Sequence, residues 1–234
     1  MGRRAVRFAG AVIACVSLGL LAQGPAHAMD GTSSTGHSQS LPLNAPAPSL
    51  RPGVDALAPT GFIGFCIHHP DDCRDEHPVT SPVVLNAARW RALAAVNSAI
   101  NLAIRPDSDA NIYHQQEYWD YPKDAAGDCE DFALLKKRQL EARGFPRASL
   151  LMTVVFDEKN SGHAVLTVVT NEGDLVLDNR RDEILTWSDT GYRFVKRQSA
   201  ENPARWVRID GTGADNTAPV AMTLPLRLDP EADT

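Results

Sequence analysis

The 234-residue sequence predicts an α+β domain in which two helices precede an antiparallel sheet. Three observations lead there. Apolar residues recur at three- and four-residue spacing over 83–104. A second helical stretch, "GDCEDFALLKK", opens on a cysteine set between acids. From Ser149 onward the apolar period changes to two, with connections too short for a parallel crossover.

Residues 1–28 read as a secretory signal peptide. Arg3, Arg4 and Arg7 give a basic start, an apolar run follows over 8–22, and "PAHA" offers a cleavage site after Ala28. The run is short for a membrane span, and no later segment approaches its length. A lipoprotein reading of "VIAC" fits less well, because the run continues past Cys15. The expected location is therefore periplasmic or secreted.

Cleavage removes three of the 23 basic residues and none of the 29 acids, so the mature chain is more acidic than the full-length net charge of −6. That argues against a nucleic-acid partner, which needs a basic face. Of four cysteines, Cys66, Cys73 and Cys129 remain. In an oxidising compartment an odd count leaves one thiol to explain. Cys66 and Cys73 are close enough for a local disulfide, or stay as two thiols. A zinc site with His68 and His69 fits no standard ligand spacing.

Residues 29–59 are rich in Ser, Thr, Gly, Pro and Ala and read as a flexible segment. The domain is expected over 60–210, with a tail over 211–234. "GFIGFCIHHPDDC" opens it. In the first long helix, Trp90, Leu93, Val96, Ile100 and Ile104 form the buried stripe, and "RPDSD" ends it. An aromatic-rich loop, "HQQEYWDYPKDAAG", follows. Asp128 is placed to cap a helix over 129–143, with Asp131 completing an acidic capping box. Phe132, Ala133, Leu135 and Leu140 are its expected buried residues, and Gly144 and Pro146 stop it. Strands are expected over 149–156, 163–170 and 174–179, with two more in "GYRFVKRQS" and "RWVRI".

Three residues stand where a cysteine–histidine–acid triad needs them. Cys129 begins a helix, whose N-terminal N–H groups favour a thiolate. His163 begins a strand and Asp178 ends the next. Each also has an ordinary structural use, as a small residue, a solvated histidine and a turn acid. Register is an obstacle. A turn at Glu172 and Gly173 sets Asp178 opposite Thr167, about 13 Å along the strand from His163.

"GDCEDFALLKKRQLEARGFP", "GHAVLTVVTNEGDLVLDN" and "RFVKRQSAENPARWVRI" resemble the bacterial transglutaminase-like cysteine proteinases. The resemblance runs in order over 61–209. It implies a papain-like, transglutaminase-type core, with the nucleophile at a helix N-terminus packed on an antiparallel sheet. It also implies Cys129 as nucleophile, His163 as base and Asp178 as orienting acid. It further implies calcium held by Asp128 and Glu130, with Asp131 as a third contributor. A helix cap needs no metal and is the rival use of these acids. "DSDAN" at 107–111 starts like an EF-hand loop but lacks its glycine and final glutamate. Trp119 and Tyr118 either line the cleft or pack in the core.

The function expected from the resemblance is cleavage of an exported or surface protein, a biofilm adhesin among the candidates, through an acyl-enzyme. An inner-membrane regulatory protein is the expected partner besides the substrate. No organic cofactor is expected. The alternatives are transglutaminase-type transfer to an amine, and a non-catalytic calcium-responsive module.

Overall fold

The computed structural model describes residues 49–74 and 82–210. The expected signal peptide, residues 29–48 and the 211–234 tail lie outside them. The described elements are β1 (Arg51–Ala56), α1 (Thr60–His68), α2 (Pro70–Cys73), α3 (Ala87–Ala103), β2 (Arg105–Pro106), α4 (Asp109–Ile112), β3 (Ala126–Gly127) and α5 (Cys129–Glu141). They continue with β4 (Leu150–Phe156), β5 (Gly162–Thr170), β6 (Gly173–Asp178), β7 (Arg181–Thr186), β8 (Arg193–Gln198) and β9 (Trp206–Asp210). The domain is α+β. None of the described helices is long and apolar enough to cross a membrane.

Seven strands form one antiparallel sheet in the order β1-β9-β8-β4-β5-β6-β7. Alternation along β4, β5 and β6 splits their side chains between two faces. Leu150, Met152, Ala164, Leu166 and Leu177 join the larger core with Trp90, Leu93, Val96 and Ile100 of α3 and Phe132 and Leu140 of α5. Val155, Val165 and Val176 join the smaller cluster with Tyr192 and Phe194. Helix α3 is shorter than expected, because Asn86 caps it by accepting the Arg89 N–H. Val83 instead bridges Thr170 at the end of β5. In α5, Leu135 is only half-buried, whereas Lys136 and Lys137 are buried.

Arg51–Ala56, which composition assigns to the flexible segment, is an edge strand paired with β9. Its side chains are mostly exposed, so no hydrophobic period marks it. Its anchor is polar and distant. The Leu50 N–H donates to Asp174 Oδ2 at 3.0 Å, and Arg197 donates to both Asp174 and the Leu50 carbonyl. Strand β7 was also unmarked, since only Ile184 among its residues is buried.

The two-residue strands β2 and β3 pair in parallel. This small ladder lays the "DSDAN" segment against the start of α5, with the Asp107 N–H donating to the Gly127 carbonyl at 2.9 Å. Gly127 also leaves room for the Asp131 side chain, because a Cβ there would sit 2.5 Å from Asp131 Oδ2. Gly61 likewise lets α1 lie directly on Trp119.

Candidate active site

Cys129 is the first residue of α5. Its Sγ accepts the Ala164 N–H at 3.4 Å and its thiol donates to Glu130 Oε2 at 3.2 Å. His163 lies one residue before Ala164 on β5 and is buried. Its Nε2 donates to Asp178 Oδ1 at 2.9 Å. The same Asp178 oxygen accepts the Arg180 N–H at 3.0 Å, and Oδ2 accepts the Tyr192 hydroxyl at 2.6 Å. The Tyr192 ring also meets the His163 ring edge to face, with centroids 5.7 Å apart.

The sheet register differs from the sequence expectation by two residues. The turn is at Asn171 and Glu172, because Thr170 pairs with Gly173 and Thr167 with Val176. The Thr170 hydroxyl secures it, donating to the Gly173 carbonyl and accepting the Glu172 N–H. Continued to the strand end, this register sets Asp178 opposite Val165. His163 is then a diagonal neighbour on the same face, within side-chain reach. No bulge in β5 or β6 is needed between them.

Burial alone would raise Asp178. The hydrogen bond and charge of His163, with the Tyr192 and Arg180 bonds, outweigh it and hold the carboxyl well below its usual range. Burial and the Asp178 carboxylate push the Tyr192 phenol up to about 12, so it stays a donor.

Cys129 is another matter. Its helix-start position favours a thiolate, yet burial, then Glu130 and Asp128, push the thiol well above its ordinary range. The Ala164 N–H opposes this and does not prevail. The acids around the thiol are thus the second cause, after burial, that opposes a thiolate in this arrangement.

Those acids form a cluster with a member that sequence reading missed. Asp109, Asp128, Glu130 and Asp131 each present a carboxylate oxygen, all within 4.8 Å of one another. Burial and mutual repulsion push Asp109 up to about 6, Asp131 up to about 8 and Glu130 well above the carboxylate range. Asp109 Oδ1, Asp128 Oδ1 and Asp131 Oδ2 are buried and have no hydrogen-bond partner among the described residues. Four converging carboxylates with orphaned oxygens match the donor set of a hard divalent cation. Asp128 does not cap α5 through its side chain, contrary to expectation. Its Oδ2 instead accepts the Asp109 N–H at 3.4 Å. Asp109 was hidden because "DSDAN" fails as an EF-hand loop, and nothing in sequence reveals the β2–β3 pairing.

A cleft of about 360 Å³ runs past Cys129 and His163. The sheet contributes Val154, Ala164 and Lys196, and the start of α1 contributes Thr60. Trp119 both lines the cleft and packs in the core against Phe62 and Trp206. Its indole N–H donates to Glu117 at 3.3 Å. The Tyr118 ring meets the Tyr113 ring at a tilt of 41°, and the Tyr118 N–H donates to Asp109. Cys66 and Cys73 are joined by a disulfide across α1 and α2. His69 bonds Asp120 at 2.6 Å and His68 lies near Tyr118, so neither histidine is part of a zinc site with those sulfurs.

Three solved structures of Legionella pneumophila LapG are similar to this chain. The calcium-bound form is 29% identical over 51% of this chain and 68% of that chain, with a TM-score of 0.45. A second is 31% identical over 51% and 67%, with a TM-score of 0.44. The EGTA-treated form is 30% identical over 54% and 69%, with a TM-score of 0.45. No curated protein sequence matches. The family model described as bacterial transglutaminase-like cysteine proteinase matches residues 53–214. That match takes in Cys129, His163 and Asp178 together with helix α5 and strands β4 to β9, and the chain belongs to the bacterial transglutaminase-like cysteine proteinase family.

Proposed function

We propose that this cysteine proteinase is a periplasmic endopeptidase that cuts an exported or surface protein with Cys129, His163 and Asp178. The carrying observation is the 2.9 Å bond between His163 Nε2 and Asp178 Oδ1 beside the cleft that holds Cys129. With Nε2 tied to Asp178, the ring nitrogen left to act as base is Nδ1.

In the proposed reaction Nδ1 takes the Cys129 proton, and the sulfur attacks the peptide carbonyl carbon. The developing oxyanion meets backbone N–H groups at the N-terminus of α5. Collapse of the adduct expels the amine, which takes the proton from Nδ1. Water, deprotonated at Nδ1, then attacks the thioester and releases the acid and the free thiol. Asp178 steadies the imidazolium that forms on each pass, and Tyr192 steadies Asp178.

Asp109, Asp128, Glu130 and Asp131 would hold calcium, whose chemistry here is to offset the negative field on the thiol. This reading draws on the orphaned carboxylate oxygens of this chain. A biofilm adhesin remains the leading substrate class and an inner-membrane protein the leading regulator, both from the sequence resemblance.

The test compares new N-termini among surface and secreted proteins from cells carrying the wild type or Cys129→Ala. Cysteine-dependent new N-termini are expected. Their absence, with ammonia release and amine incorporation into a glutamine peptide instead, would move the assignment to acyl transfer.

A further inference from the structure

Lys196 lies in the cleft for no reason the proposed chemistry supplies. It sits on β8, where it pairs with Val154 of β4, and Val154 pairs in turn with Ala164 of β5. All three line the cleft, so they form one row across three adjacent strands. Ala164 marks the reacting end of that row, since its N–H contacts Cys129 Sγ.

The ammonium is largely enclosed. Lys196 is 9% exposed, and its Nζ lies 6.0 Å from the centre of the Trp206 ring. Among the described residues Nζ donates one hydrogen bond, to the Leu57 carbonyl at 2.8 Å. A lysine ammonium has three donors, so two remain. Glu117 is the anion that acts on it, at a range beyond hydrogen bonding. Enclosing a cation costs free energy unless a partner meets it, and burial does depress this lysine.

We propose that Lys196 is a specificity-determining residue whose ammonium takes an acidic side chain of the substrate, two to three residues from the scissile bond. The spacing follows from the row. Two inter-strand steps span roughly 10 Å, and an extended peptide advances about 3.3 Å per residue. The substrate carboxylate supplies the charge-assisted acceptor that Glu117 does not reach. The subsite deepens the endopeptidase reading and rests on it.

The experiment digests a proteome-derived peptide library with the calcium-supplemented wild type, Lys196→Met, Lys196→Arg and Lys196→Glu. Residue frequencies are read at each position around the cut. The wild type should enrich Asp and Glu at the second or third position on one side, roughly threefold to tenfold. Lys196→Met keeps an unbranched side chain without the charge and should lose the enrichment. Lys196→Arg should retain it, and Lys196→Glu should turn it toward Lys and Arg. Cleavage without acidic enrichment, or with enrichment unchanged in Lys196→Met, overturns the subsite alone. No cleavage by a wild type whose Cys129 still alkylates overturns the endopeptidase reading, and the subsite with it.

Discussion

His163 and Asp178 lie fifteen residues apart on neighbouring antiparallel strands, and a single 2.9 Å bond joins their buried side chains. Each partner is fixed from elsewhere. Tyr192 clamps both, by hydroxyl on Asp178 and by ring edge on His163. Asn101 donates to the Asp178 carbonyl at 3.0 Å and to the Arg181 carbonyl at 3.1 Å, so α3 secures the turn that presents the acid.

Asp178→Asn should therefore leave the fold intact and cut kcat roughly a hundred- to ten-thousand-fold, the range for a mis-oriented base. Tyr192→Phe should cost about tenfold, since it removes one bond to a charged acceptor and keeps the ring. Steady-state kinetics on a cleaved peptide measures both. Wild-type turnover in Asp178→Asn would transfer the orienting role to another acid, such as Asp174 or Asp182, each four residues away in sequence.

Much of this site was legible in the sequence. Cys129 announces itself by its acids and by the helix period behind it, and β4, β5 and β6 by their alternation. The distance between His163 and Asp178 was not legible, because it hangs on which two residues make the β5–β6 turn. Glu172 and Gly173 look like turn chemistry, but the Thr170 hydroxyl secures Asn171 and Glu172 instead. Tyr192, Asp109 and Lys196 carry no local signal at all. They reach the site through tertiary pairings, which a pattern along one chain does not encode.

Calcium should raise the melting temperature in a concentration-dependent way, because the cluster forms only in the folded chain. Magnesium should do less, since it yields its waters reluctantly and demands tight octahedral geometry. Glu130 accepts the Cys129 thiol at 3.2 Å and is also one of the four clustered acids. Engaging Glu130 with a cation should thus free the thiol and speed its alkylation by iodoacetamide. Glu130→Gln should blunt the thermal response, and Asp109→Asn should do the same from outside the α5 segment. An unchanged melting temperature on chelation would reduce these acids to a structural cluster and leave the triad standing.

The Cys66–Cys73 disulfide closes a short loop, with a sequence separation of 7. Loop-closure entropy for that length gives about 2–3 kcal/mol of stabilisation. The Cys66→Ser/Cys73→Ser double variant should lose that much in a urea titration. It should also bind calcium more weakly. His69 inside the loop bonds Asp120, and the Asp120 N–H donates to Asp131 Oδ1 at 3.2 Å. An unshifted midpoint at unchanged slope would show that α1 and α2 hold together without the bridge.

The last expectation concerns Lys136, two turns below Cys129 on the same face of α5. It is fully buried, and its Nζ has no hydrogen-bond partner among the described residues. Burial pulls it from the usual 10.5 down to about 7, against the opposing pull of Asp178 and Asp182. The sign follows from proton counting. Between roughly pH 7 and 10.5 the unfolded chain holds the lysine proton and the folded chain does not, so stability from this group rises with pH across that window. Below it the folded state must enclose an unpaired ammonium. Lys136→Met should then be more stable than wild type at pH 6, by about 1–4 kcal/mol, the range for replacing a buried charge with a packed apolar side chain. The advantage should shrink as pH approaches 10, where wild type folds with a neutral amine. Denaturant titrations of both proteins at pH 6 and pH 10 give the comparison. A Lys136→Met protein that is less stable at pH 6 would mean that the attraction to Asp178 and Asp182 exceeds the cost of burial, and that this lysine supports the triad's acid instead of straining the helix that carries its nucleophile.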